Sequence, residues 1–356
     1  MSVLLTFALA GCGSDDDKGN DGNGGSGGEA SGDVCKTADG DGPKIGLAYD
    51  VGGRGDQSFN DSAYAGVEKA VEDLDATCIE AEAGSDENDT ARAERLRTLA
   101  SEGYNPVIAV GFIYSPAAAE VAADFPDTDF TVIDGYASSI TEADNLSDIN
   151  FAANEGSFLV GVAAALETKS GTVGFVGGTN GALIQGFQAG FEAGVKAADP
   201  KVKVQVQYLT DDPNDGKTGF ENAPGGRTAA EGMLDSGADV IFHAAGKSGL
   251  GVFQAVEAAG EGNWAIGVDS DQYLTAEDSL KPFILTSMLK RIDVGVSDYV
   301  TAFDKGETPS GFITYDLADD GVGYSTENPA IDPLTSKINE FADKIKSGEI
   351  EVPTAP

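Results

Sequence analysis

Hydrophobic positions in this chain fall in short runs that stop at glycine or aspartate, and most are followed by a longer stretch of helical spacing. Residues 44–49 form the first run, apolar and partly β-branched, as expected of a strand covered on both faces. It ends at Asp50. Gly52, Gly53 and Gly55 then allow a tight turn, and Ser58 offers an N-cap for a helix whose apolar and small positions are Phe59, Ala63, Gly66, Val67 and Ala70. The same reading predicts strands near 77–81, 107–112, 130–134, 149–152, 172–176, 202–209, 240–243, 264–268, 283–286 and 312–316. Helices are expected over 90–102, 116–124, 155–166, 182–197, 227–234, 249–259, 290–303 and 334–346. Ser115 before Pro116 reads as a cap followed by proline at the first helical position. A glycine turn is expected after residue 176, and residues 210–224 read as an irregular polar loop.

Strand, helix and strand in alternation with short links predict a parallel, doubly wound α/β sheet. So many units would make one sheet unusually wide. The expected fold class is therefore α/β with two lobes, each a parallel doubly wound sheet flanked by helices, with a cleft between them and closure by hinge motion. The first lobe is set at 43–145, completed by about 270–308, and the second at 146–269, completed by about 309–356. Residues 13–42, glycine-rich and polar, read as a flexible tether.

Ligands in open α/β sheets bind beyond the carboxyl ends of the strands. Asp50, Asp134 and Asp269 each end an apolar run and should face that crevice, joined by Phe59, Asn60 and Lys290. Aspartates also cap helices after strands. Three at strand ends, beside an aromatic and an amide, favour a site that hydrogen-bonds a polar, ring-containing small molecule. No nucleophile–base pair is present among them, so no catalytic residue is assigned.

Composition narrows the partners. The 60 acidic and 22 basic residues leave a formal charge of −38, so nothing basic is available to displace counterions from nucleic acid or anionic lipid. The acidity itself is explained first by solubility or salt adaptation. A hydrophobic content of 41% marks a globular chain.

Leu9-Ala10-Gly11-Cys12, after the apolar run 3–10, has the form of a bacterial lipobox, with Cys12 as the lipidated residue and 1–12 as a shortened signal lacking the usual basic start. No later segment is apolar for long enough to span a bilayer. In an exported protein Cys35 and Cys78 can pair, a closure worth about 4 kcal/mol. Two unpaired buried thiols are the alternative.

Several short strings resemble catalytic signatures. Ser287 and Lys290 fit S-x-x-K and Lys217-Thr218-Gly219 fits K-T-G, but in reversed order and without S-D-N. Gly246-Lys247-Ser248 resembles the end of a phosphate loop whose first glycine would fall at Ile241. In 211–216, Pro213 stands where a calcium loop needs a ligand. His243, the one histidine, builds neither a triad nor a conventional zinc site, so no metal is expected and a core or crevice-wall role is.

The ordered blocks Asp50-Val51-Gly52-Gly53, Asp56-Gln57-Ser58-Phe59-Asn60, Val110-Gly111-Phe112 and Val132-Ile133-Asp134-Gly135 are similar to those of a known family. So are the runs at 174–178, 240–246, 266–272 and 286–291. Together they resemble the basic membrane protein family, the purine nucleoside receptor group of bacterial substrate-binding lipoproteins, over 44–353. The resemblance implies a two-lobed periplasmic-binding-protein type I fold with three crossing segments. It also implies a purine nucleoside clamped between two phenylalanines, Phe59 and Phe220. Asp50, Asn60 and Asp134 would then read the base edge. Asp269, Lys290, the backbone at Gly246 and Glu221 would hold the ribose, and Lys247 stands where the family usually has a small residue.

The expected function is that of an extracytoplasmic, lipid-anchored solute receptor on the cell membrane, monomeric and without a cofactor. It delivers nucleoside to an ABC permease whose own ATPase hydrolyses ATP. Alternatives are the same fold binding a sugar, autoinducer or amino acid, and a nucleoside hydrolase, although 50–53 lacks the neighbouring aspartates that a metal-bound cluster needs.

Overall fold

The computed structural model describes residues 33–84 and 87–356. Cys12 and residues 1–32 lie outside them, so the expectations on the signal and on most of the tether are not addressed by it.

The described chain opens with a short helix, α1 (Val34–Thr37). Five β-strands follow, β1 (Lys44–Ala48), β2 (Thr77–Ala81), β3 (Val107–Val110), β4 (Phe130–Ile133) and β5 (Leu146–Phe151), interleaved with α2 (Phe59–Leu74), α3 (Asp89–Ser101) and α4 (Ser115–Asp124). Next come α5 (Ala153–Glu167), β6 (Thr172–Thr179), α6 (Ala182–Ala198), β7 (Lys203–Thr210), α7 (Gly216–Phe220) and α8 (Ala223–Asp235). The chain continues with β8 (Val240–Ala244), α9 (Gly249–Ala259), β9 (Trp264–Asp269), α10 (Gln272–Thr275) and β10 (Ile284–Lys290). It ends with α11 (Ile292–Asp304), β11 (Gly311–Tyr315), β12 (Val322–Tyr324) and α12 (Asp332–Lys346).

Two six-stranded sheets result, in the orders β2-β1-β3-β4-β5-β11 and β7-β6-β8-β9-β10-β12. Among the described residues every pairing of these strands is parallel except β10 with β12. The two orders are the same arrangement twice, with a switch point at β1/β3 in one lobe and β6/β8 in the other. Central strands β3, β4 and β8 are buried throughout, which is why they read as unbroken apolar runs.

Three expectations about the chain's division are corrected by strand pairing. β5, placed at the start of the second lobe, pairs with β4 in the first sheet. β10, placed with the first lobe, pairs with β9 in the second, while β11 pairs with β5 in the first. The chain therefore crosses between lobes at Ala152, at Arg291 and over 316–321. Those crossings are cross-linked: Ala152 N donates to Tyr315 O at 2.8 Å and Arg291 N to Gly321 O at 2.9 Å. β12 was not anticipated, because a short antiparallel edge strand with little apolar content carries no periodic signal.

The tether was expected to run to residue 42. Instead, the chain is packed onto the first lobe from Asp33. Cys35 is disulfide-bonded to Cys78 on β2, and Val34 N donates to Tyr64 Oη at 3.0 Å.

Close helix pairing holds the lobes. A Cβ at Gly190 or Gly194 of α6 would come within 2.0 Å of the Asn154 or Phe158 carbonyl of α5, so the two backbones touch directly. A Cβ at Gly66 of α2 would lie 2.6 Å from Asp293 O of α11.

Candidate functional site

At the carboxyl ends of both sheets lies one cleft, with about 560 Å³ of space including its mouth. Asp50, Phe59, Asn60, Asp134, Phe220, Gly246, Asp269 and Lys290 all line it, as does Lys247. Glu221 does not. It follows the last residue of α7 and is exposed, because the turn that aims Phe220 inward sends its successor to solvent.

The loop after β1 is wound by carboxylates. Asp56 accepts from the backbone N–H of Ser58 (3.0 Å), Asn60 (2.8 Å) and Asp61 (3.1 Å), satisfying the start of α2. Asp61 in turn accepts from Gly55 N and Gln57 N. Ser58 occupies the N-cap position but makes no capping bond. The amide of Asn60 is held by the protein on both sides: Nδ2 donates to Asp56 at 3.0 Å and Oδ1 accepts from Asp50 N at 3.2 Å. Asn60 thus braces Asp50 as well as lining the cleft.

Asp134 and Asp269 close β4 and β9 with left-handed backbones, φ +56° and +63°. For residues other than glycine this conformation is uncommon and costs energy. Neither is a helix cap. Both face Lys290, 2% exposed at the end of β10, which hydrogen-bonds Asp134 and lies 3.7 Å from Asp269. Asp134, expected at the base edge, is hydrogen-bonded to Lys290, expected on the ribose side. Phe59, Phe151 and Phe187 enclose the same ammonium, with ring centroids 4.8, 5.5 and 5.7 Å from Nζ.

Burial raises the Asp50 carboxyl to about 7 and the Asp56 carboxyl to about 6. Burial also raises Asp134, against the pull of Lys290. His243 sits away from the cleft. It is fully buried on β8, packs edge-on against Phe253 at 5.0 Å, and is held neutral by burial, with its pKa down to about 3.

Phe220 rides on α7, inside the stretch expected to be irregular. Its ring lies against Gly178, where a Cβ would come 2.3 Å from Cε1. The glycines expected to turn after β6 instead extend it to Thr179, because their missing side chains leave room for Tyr208 and Phe220. Ser115, expected to cap α4, is its first residue and accepts from Tyr136 N at 2.9 Å.

The cleft also has an apolar wall that sequence reasoning missed: Phe112 after β3, and Leu183, Ile184 and Phe187 on the first turns of α6. The signal that selects Phe59, an aromatic at the start of the helix after a strand end, reaches Phe187 only when widened to the second turn, where α6 carries it. Such a site fits a flat, partly apolar molecule that also carries hydrogen-bonding groups.

Comparison with known proteins gives a consistent result. Residues 44–355 match the family model Bmp, described as "ABC transporter substrate-binding protein PnrA-like". The chain is 37% identical over 331 residues to the CD4+ T-cell-stimulating antigen of Listeria innocua, covering 88% of each chain. It is 30% identical over 333 residues to the ABC transporter nucleoside-binding protein BmpA of Lactococcus lactis, covering 87% of this chain and 89% of that one. A solute-binding protein of an ABC transporter system from Aeropyrum pernix superposes with a TM-score of 0.74 at 25% identity, covering 88% and 93% of the two chains.

Proposed function

This chain belongs to the Bmp family, the PnrA-like substrate-binding proteins of ABC transporters, and from that premise we propose that its cleft holds a purine nucleoside. Family membership makes it a binding protein and not an enzyme, working outside the cytoplasm at the membrane and handing its ligand to an ABC permease.

The observation that carries the reading is that Phe59 from the first lobe and Phe220 from the second line one cleft with Asp50, Asp134 and Asp269. Stacking a base on an aromatic contributes about 1–3 kcal/mol and tolerates different bases. Carboxylates then discriminate, since a ligand lacking the matching donor leaves a buried acceptor unpaired. Asp50, Asn60 and Asp134 serve the base end in this reading, and Asp269, Lys290 and Gly246 the sugar. The name of the Lactococcus lactis relative supports the ligand class. Cys12 is the proposed lipid anchor, and the receptor acts as a monomer.

Mass spectrometry of small molecules released on denaturing the purified protein tests this directly, and a nucleoside is the expected find. In titrations, Phe59→Ala weakens guanosine binding at least about tenfold while leaving the thermal transition nearly intact. Recovery of a sugar, or unchanged affinity in the variant, removes the proposal.

A further inference from the structure

We propose that Ser58 is a positioning residue that ties the setting of Asp269 to closure of the two lobes. The inference deepens the nucleoside reading and rests on it. Ser58 belongs to the first lobe, at the start of α2, and is fully buried. Asp56 already satisfies the helix start, so the Ser58 hydroxyl is free for another partner. Its Oγ lies 2.7 Å from Asp269 Oδ2 and 3.1 Å from Val268 O, both on β9 of the second lobe. A hydroxyl has one proton, and the shorter, charged contact takes it. In the reverse direction, Ser270 Oγ donates to Ser58 O at 2.9 Å.

Asp269 is therefore held at two points. Its backbone is left-handed, and its Oδ2 is fixed by a group that travels with the other lobe. Oδ1, 3.7 Å from Lys290, remains to accept from a ligand. When the lobes part, Ser58 leaves with α2 and the carboxylate loses its anchor. A vicinal diol thus meets an oriented acceptor only in the closed arrangement. By linkage, a ligand that uses Asp269 stabilises closure more than one that does not.

Two variants and two ligands test the clasp. Guanosine and 2′,3′-dideoxyguanosine are titrated against wild type, Ser58→Ala and Ser270→Ala, and the ligand-free radius of gyration is measured by X-ray scattering. Ser58→Ala is expected to weaken guanosine about tenfold or more, since a hydrogen bond to a charged group is lost. The dideoxy compound should lose clearly less, only what weaker closure costs both ligands, because the coupling through Asp269 acts on the diol alone. Both variants should enlarge the ligand-free particle, while Ser270→Ala keeps the diol preference. Equal losses for the two ligands, or scattering unchanged in both variants, overturn the inference. If wild type binds neither compound, the nucleoside reading falls and scattering alone decides the clasp.

Discussion

Burying one ammonium among three aromatic rings is tolerable only because two carboxylates compensate it. Removing Lys290 would leave Asp134 and Asp269 facing each other in a dry site. Lys290→Met is therefore expected to destabilise by about 3–5 kcal/mol, and Lys290→Met with Asp134→Asn by clearly less. Thermal unfolding of the three proteins checks this, and equal melting temperatures for single and double variants would count against it. Asp50 gives a second test. Its folded pKa of about 7 lies above the ordinary value of 3.8, so the native state binds the extra proton and stability falls as pH rises from about 4 to about 7. His243, with a depressed pKa, acts oppositely below its ordinary value. Asp50→Asn isolates the carboxyl: its melting temperature should decline less from pH 5 to 8 than that of wild type. The strand-end aspartates were legible because an apolar run stopping at a carboxylate is a local signal. Lys290 beside Asp134 was not, since no local pattern announces a pair 156 residues apart. Glu221 misled for the converse reason: neighbours in sequence on a helical turn point apart.

At the level of elements, small residues decide where the cleft walls stand. Gly178→Ala would push a Cβ into the Phe220 ring, and nucleoside affinity should fall about tenfold, one base stack's worth. Gly232→Ala on α8, where a new Cβ meets nothing, should raise stability by up to about 1 kcal/mol with binding unchanged. Calorimetric titration of the two separates an effect on the ring from a general effect of adding methyl groups. Most strands and helices were legible because their periods are clean. Helix ends were less so. Ser58 and Ser115 both have cap chemistry, yet each spends its hydroxyl on a distant element, a tertiary demand that propensity does not register. The strand β6 runs through its glycines for the same kind of reason, as packing against Tyr208 and Phe220 overrides the turn preference.

Across the whole molecule, the charge of −38 is a standing repulsion that salt relieves, as the screening length shrinks from about 10 Å at 0.1 M to 3 Å at 1 M. The melting temperature should climb between those concentrations, and a flat profile would show that local pairing already neutralises the acids. Two lobes and a cleft followed from counting units. The allocation of β5, β10 and β11 did not, because parallel strands find their neighbours through crossovers that leave no mark in the spacing of apolar residues.

Among the described residues the chain passes between lobes three times, and the passages are hydrogen-bonded side by side. Three parallel straps leave the lobes one easy degree of freedom, bending, and resist twisting or sliding. A single proteolytic nick at the exposed stretch 318–320 would still leave two straps, so the cut protein should stay assembled under native conditions and separate only when unfolded.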